Sequence, residues 1–402
     1  MNAPVLMISY EAPPRLSAES ILAAKTLKAL AEANPPGPVI DLVCASPGDE
    51  VPADAALSEL LPATLRVHRL DPAPRGRKTI LQRLMGGKED WRKAAVIKGA
   101  ALFPAEHKKP AVLYSRSHPP ASHLAALELL AGPFKGVPWV AHFSDPWSKH
   151  AYYKSRVTRA ALGRYEQQVL AAATRVVFVS EALRDLMLAG QPDAIKAKAR
   201  VIPHLFDPSL YTQAALPAAL HREGDKGKTI AHVGDLYGPR SPTPLFDALA
   251  RLPQAQELAV CLVGRLEAQF SEAAQRADAA GRLRCHPPVP YLQSLAVMAG
   301  ADVLLTIEAP ARQSVFFPSK LVDYLGARKP LFAITPKGSF TAHLLETWGQ
   351  PWCDVKDIDG IAAVLKRVAE GQLWPPPAES ILNAYAAPTV AKQLTAVLSA
   401  AC

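Results

Sequence analysis

Short apolar runs alternate with longer amphipathic or polar stretches along the first half of the chain. Pro4 to Ser9, Val39 to Ala45, Leu65 to Leu70, Val112 to Ser115, Trp139 to Phe143 and Arg175 to Val179 are too short for buried helices. Their length and side chains predict buried strands. Ser17 predicts the cap of a helix reaching about Ala33, with Ile21, Leu22, Leu27 and Leu30 on its core face. Arg159 to Ala173 has helical spacing. Such alternation predicts a parallel sheet covered by helices on both faces.

The pattern breaks between His204 and Lys228, where proline, glycine and charge mix, and then restarts. Thr229 to Val233, Leu258 to Val263, Val303 to Ile307 and Leu331 to Ile334 read as strands. Pro244 to Leu252, Leu292 to Ala299 and Lys320 to Ala327 read as helices. The expected architecture is α/β: a doubly wound domain over 1–205, a linker over 206–228, and a second doubly wound domain over 229–378. A terminal helical segment, 379–402, is expected to return to the first domain. Ligands of doubly wound sheets sit at the carboxyl ends of the strands, so the cleft between two such domains is the expected active site.

Composition narrows the class. The 402 residues are 49% hydrophobic and 20% charged, which excludes a disordered chain. Cys44, Cys261, Cys285, Cys353 and Cys402 are dispersed and odd in number. They predict a reduced, cytoplasmic protein without a disulfide framework or zinc cluster. No signal peptide and no apolar run of about 18 residues is seen, so no spanning helix is expected. The formal net charge of +9 calls for anionic partners.

The chemistry concentrates in Ser314-Val-Phe-Phe-Pro-Ser-Lys-Leu-Val-Asp-Tyr-Leu-Gly-Ala-Arg-Lys-Pro-Leu-Phe-Ala-Ile334. A loop ends at Pro318 and Ser319, where a helix begins. Helix-start N–H groups attract phosphate, and Lys320 adds a full charge. Asp323, four residues after Ser319, shares its helix face and suits sugar hydroxyls. An ordinary cap with a solvated lysine is the alternative.

The chain resembles the GT-B glycosyltransferases of the retaining family-4 type in six collinear segments. These are Ser115-Arg-Ser-His-Pro-Pro-Ala-Ser-His-Leu124, His142-Phe-Ser-Asp-Pro-Trp147, the helix-then-strand segment Arg164 to Glu181, Val201-Ile-Pro-His-Leu-Phe-Asp207, His232-Val-Gly-Asp-Leu-Tyr-Gly-Pro-Arg240 and Phe317-Pro-Ser-Lys-Leu-Val-Asp-Tyr-Leu325. The resemblance implies two Rossmann-like domains facing across a cleft. It implies a nucleotide-sugar substrate, UDP- or GDP-linked, held mainly by the second domain, with no cofactor and no metal. Gly234 would let the backbone approach the donor. Arg240 and Lys320 would neutralise the leaving diphosphate, with Arg265 in a secondary place, beside Pro318 and Ser319. Asp323 would bind the ribose, and Val289 would flank the base.

Three departures stand out. Val315 occupies the place of the first of the family's two acids. Glu11-Ala-Pro-Pro-Arg-Leu-Ser17 replaces a glycine-rich loop, leaving Arg15 either facing phosphate or merely exposed. Asp235 replaces the usual basic residue after Gly234.

On the acceptor side, Asp145, His142 and His118 follow strands, where a polar group could orient or deprotonate an acceptor hydroxyl. Aspartate before proline equally favours a turn. Arg116 is a candidate phosphate contact. Asp357-Ile-Asp359 has the spacing of a metal motif, but helix capping explains it better.

Arg75 to Lys109 holds ten basic residues against three acidic ones, most of the net charge. Ile80, Leu81, Leu84 and Met85 give it an apolar face. Arg83, Arg92 and Lys93 are therefore candidates for an anionic membrane surface and a lipid-linked acceptor, with a peripheral location on the cytoplasmic side. The alternative is a solvated helix packed by Trp91, Ile97 and Leu102. The leading function is a hexosyltransferase-like enzyme of cell-surface polysaccharide biosynthesis. The alternatives are a nucleotide-sugar epimerase of the same fold and a non-catalytic anion or nucleic-acid binder. No nucleic-acid motif supports the last.

Overall fold

The computed structural model describes residues 4–33, 39–48, 52–71, 88–104, 109–150, 155–211, 227–253, 257–278 and 281–402. They fall into two compact units. Met1–Leu205 with Ala387–Cys402 form the first, and Phe206–Ala386 the second.

In the first unit, β1 (Val5–Ile8), β2 (Ile40–Ala45), β3 (Arg66–Leu70), β4 (Val112–Ser117), β5 (Trp139–Phe143), β6 (Arg175–Phe178) and β7 (Ala199–Val201) build one parallel sheet. The strand order is β3-β2-β1-β4-β5-β6-β7, with Val5 in register with Ile40 and Val112. All residues of β1, β2, β4 and β5 are buried, because helices cover both faces of the sheet. That is why these strands read as continuous apolar runs. The order reverses between β1 and β4, so the loops carrying Glu11 and His118 leave the sheet at its topological switch point.

Ser17 caps the helix Ala18–Ala33 by accepting from the Ser20 amide at 3.2 Å. Leu27 and Leu30 of that helix share a core cluster with Val390, Leu394 and Leu398 of the helix Ala387–Ser399. The terminal helical segment expected over 379–402 consists of two helices, Glu379–Tyr385 and Ala387–Ser399. Ala386 between them is extended, at φ −70° and ψ 145°. Pro388 explains the break: proline fits the first turn of a helix but not the interior of a continuous one.

The second unit has β8 (Lys228–Val233), β9 (Leu258–Val263), β10 (Leu283–His286), β11 (Val303–Ile307), β12 (Leu331–Ile334) and β13 (Trp352–Cys353). They are parallel in the order β10-β9-β8-β11-β12-β13, which reverses between β8 and β11. Strand β10 is not among the strands expected from the sequence; the mixed polarity of Arg284, Cys285 and His286 hides a sheet-edge strand. Asp357 caps the helix Ile358–Ala369, accepting from the Gly360 amide at 2.9 Å, so the Asp-x-Asp spacing is a cap here.

The helix Ser319–Gly326 ends against Tyr211, whose hydroxyl donates to the Asp323 carbonyl at 2.7 Å. A Cβ on Gly326 would strike the Tyr211 ring. Gly326→Ala is therefore expected to cost about 1–3 kcal/mol of stability by overpacking. Urea unfolding checks this, and an unchanged midpoint would contradict the packing.

Candidate functional site

In the second unit the switch point gathers charge. Gly234 follows β8 at φ +127°, a backbone conformation that glycine adopts and other residues avoid. A Cβ there would lie 2.6 Å from Lys320 Nζ. Gly264 follows β9 at φ +144°, and its Cβ would sit 2.5 Å from the Gly234 carbonyl. The two loops thus pack backbone on backbone.

Lys320 enters this space from the first turn of Ser319–Gly326, a helix whose N-cap, Pro318, has no capping side chain. The ammonium lies 3.1 Å from His232 Nε2. His232 Nδ1 lies 3.0 Å from the Leu305 carbonyl, so that nitrogen carries the hydrogen and Nε2 accepts from Lys320. Burial and the Lys320 charge hold His232 far below its usual pKa, as a neutral ring. Burial, reinforced by Arg240, lowers Lys320 to about 7. No carboxylate forms an ion pair with Lys320 or Arg240 among the described residues. Arg240 is half-buried, its guanidinium 5.5 Å from the Tyr237 ring centroid, with Nε lacking a hydrogen-bond partner there.

The other donor-side candidates differ in setting. Arg265 is exposed and bonded to Asp235: Nη2 donates to Oδ2 at 3.0 Å and its amide to Oδ1 at 2.8 Å. The acid after Gly234 therefore pairs with Arg265, the secondary candidate, and takes up its charge. Asp323 is buried, and the Tyr291 hydroxyl donates to its Oδ1 at 3.1 Å. Val289 and Ser319 are half-buried, and Val315 is buried. Glu308, just past β11, was not foreseen from the sequence. It is buried and accepts from Thr335, and burial raises its pKa while Arg240 lowers it. An acid directly after the apolar run Val303 to Ile307 was the available signal.

In the first unit, Glu166 holds the Asp145-Pro-Trp147 loop. Its carboxylate accepts from the Trp147 amide at 3.2 Å and from the Ser148 amide and hydroxyl at 3.0 and 2.9 Å. Trp147 Nε1 donates to Ser117 Oγ at 2.7 Å, tying the loop to the end of β4. Burial raises Asp145 to about 7, with Glu19 adding to the shift, so Asp145 holds a proton part of the time near neutrality. Glu19, in the first turn of Ala18–Ala33, also escaped the sequence reading.

Arg116 and His142 are corrected in role. Arg116 is buried; Nη1 donates to Tyr114 Oη and His142 Nδ1, at 3.3 and 3.2 Å, and Nη2 lies 3.6 Å from Glu19. It is an internal cation rather than an open phosphate contact. His142 is equally buried, and its Nδ1 also accepts from the Tyr114 hydroxyl at 2.8 Å. Arg15 is neither free for phosphate nor exposed: it is buried and bonded to Glu11 and to the Ser46 and Pro47 carbonyls. His118 keeps its place at the end of β4, with burial and neighbouring cations lowering it to about 4.

The basic segment is covered in part. Arg83 lies outside the described residues. Arg92 is engaged by Glu89 and Glu128, so little of its charge remains for an anionic surface; Lys93 is exposed. The helix Glu89–Leu102 buries Trp91, whereas Ile97 is 72% exposed rather than packed. Among the described residues no helix is long and apolar enough to cross a membrane.

Comparison with known proteins agrees with this layout. Residues 26–204 match the family described as "Glycosyl transferase 4-like domain". No curated protein sequence matches the chain. Anabaena Alr3699/HepE, solved in complex with UDP-glucose, superposes with a TM-score of 0.67 at 16% identity, covering 99% of this chain and 100% of that one. Sucrose-phosphate synthase from Thermosynechococcus elongatus gives 0.67 at 14%, covering 100% and 96%. The lipopolysaccharide outer core galactosyltransferase WaaB gives 0.65 at 14%, covering 99% and 100%. Residues 26–204 thus match a glycosyl transferase 4-like domain, and the chain as a whole shares the two-domain fold of these structures.

A lowered ammonium pKa costs stability while both folded and unfolded chains are protonated. For Lys320 the cost is full below about pH 7 and fades as pH rises toward 10.5. Lys320→Met is therefore expected to raise the urea midpoint at pH 6, with the gain shrinking at pH 9. A midpoint lowered at pH 6 would show that the ammonium is structurally satisfied. Gly264→Ala forces a positive φ on alanine and pushes on the Gly234 loop. An expected loss of about 1–3 kcal/mol is read by the same method, and no loss would contradict the loop packing.

Proposed function

We propose that the chain moves a sugar from a nucleotide-diphosphate donor to a glycan or lipid-linked acceptor, with retention, in cell-surface polysaccharide synthesis. The observation that carries the donor half is the pair Lys320 and Arg240, two cations without carboxylate partners among the described residues, at the β8–β11 switch point. A leaving diphosphate gathers negative charge as the glycosidic bond breaks. Preorganised cations stabilise that charge, and these residues can supply them without a metal. One Lys320 hydrogen is taken by His232, leaving two for phosphate oxygens. The uncapped start of Ser319–Gly326 adds the positive end of a helix dipole. A uridine nucleotide is favoured, since the HepE structures hold UDP and UDP-glucose. The retaining course and the polysaccharide setting follow from the family-4 resemblance.

Asp145 supplies the acceptor half. A carboxyl group poised near pH 7 can hold the proton leaving an acceptor hydroxyl and return it to water. Its position is fixed by Glu166 through Trp147 and Ser148.

A thermal-shift screen of UDP, UDP-glucose, GDP and GDP-mannose tests this reading. A cognate ligand at about a hundredfold excess over its Kd should stabilise by about 2.7 kcal/mol. Lys320→Met should remove the shift. A shift unchanged in that variant would take Lys320 out of the site. Conversion of the donor alone to an epimer would favour the epimerase reading. Salt-sensitive oligonucleotide binding without nucleotide binding would favour the binding-protein reading.

A further inference from the structure

The switch point of the first unit carries basic groups that the transfer chemistry above leaves unused. His118 stands between the end of β4 and the helix Ala121–Ala131. Its Nδ1 is buried and has no hydrogen-bond partner among the described residues. The His150 ring, on the loop after β5, lies 6.5 Å from it between centroids. Lys88, just ahead of the helix Glu89–Leu102, holds its ammonium 4.1 Å from the centroid of the Tyr10 ring, at the end of β1. Trp91 packs edge-on against Tyr10, 4.9 Å between centroids, and fixes that platform.

The local field is positive. Burial together with the charges of His150 and Lys88 keeps His118 neutral when nothing is bound. The start of Ala121–Ala131 adds its dipole. Glu11, the acid acting on His118, is already held by Arg15 at 3.0 Å and Ser17 at 2.9 Å. Burial lowers His150 as well, so both rings rest neutral. A buried ring nitrogen without a partner, in the field of the Lys88 ammonium, is an arrangement an anion completes.

We infer that His118, His150 and Lys88 form an anion subsite of the first unit that takes a phosphate monoester carried by the acceptor. The phosphate oxygens would accept from His118 Nδ1 and from the Lys88 ammonium, and their charge would favour the imidazolium form of both histidines. The assignment to the acceptor rests on the transferase reading. The site itself rests on the placement of these side chains.

Titration calorimetry on the full chain tests it with glucose 6-phosphate, glucose, inorganic phosphate, and vesicles of neutral lipid with and without phosphatidic acid. Glucose 6-phosphate should bind and glucose should not. His118→Gln and Lys88→Met should each weaken phosphate binding about tenfold or more, the loss of one charge-assisted hydrogen bond. UDP binding should persist in both variants. Tighter binding of glucose 6-phosphate than of inorganic phosphate supports a soluble phosphorylated acceptor. Binding confined to phosphatidic acid vesicles, lost in both variants, supports a lipid phosphate. Absence of phosphate binding from every arm, or binding unchanged in both variants, overturns the site. UDP failing to bind while glucose 6-phosphate binds would instead overturn the donor reading and leave this subsite in place.

Discussion

An ammonium group held beside a neutral imidazole organises the second unit. Lys320 reaches beneath the Gly234 loop to His232, whose other nitrogen is fixed by the Leu305 carbonyl. That arrangement needs three things at once: a glycine with positive φ, a histidine on β8, and a helix starting just past β11. Two come from the end of β8 and the third from the loop after β11, and the pairing of those two strands brings them together. Nearby acids relieve the charge only in part. Asp235 is bonded to Arg265, and Glu308 faces Thr335. The cation is therefore kept costly in the empty protein and useful to an incoming diphosphate.

The first unit uses the same topology for a different purpose. Its switch point presents a set of basic groups, and the loop after the neighbouring β5 presents a carboxyl group poised to hold a proton. Glu166 clamps the Asp145-Pro-Trp147 loop after β5 through three hydrogen bonds. Ser122 Oγ accepts from the Tyr10 amide at 2.9 Å, which ties the end of β1 to the start of the helix after His118. These contacts are between residues far apart in sequence, so the loops keep their places without a regular local motif.

Much of this was legible in the chain. The buried strands of both sheets announced themselves as uninterrupted apolar runs, because a parallel sheet covered on both faces leaves no polar side to alternate with. Edge strands were harder. β10 carries Arg284 and His286, and its pairing with β9 rather than its composition makes it a strand. Gly234 and Lys320 were visible because each sits beside a strand end or helix start whose chemistry is local. Arg15, Arg116 and Arg265 were misjudged for the opposite reason. Whether an arginine faces ligand or protein depends on its acid partner, and Glu19 and Asp235 become partners only once the sheet is folded. His232 lay within a quoted motif, yet its role depends on Leu305, in a strand reached only through the fold.

The central claim is that Lys320 meets the nucleotide diphosphate as an ammonium, which above neutral pH requires it to gain a proton on binding. Calorimetric titration of UDP at pH 8, in two buffers of different ionisation enthalpy, reads this directly. With the empty-site pKa at about 7, the ammonium is mostly deprotonated at that pH. The account predicts uptake of close to one proton per nucleotide bound, and none in Lys320→Arg, whose guanidinium is already charged. Tight UDP binding with no proton uptake by the native chain would contradict it.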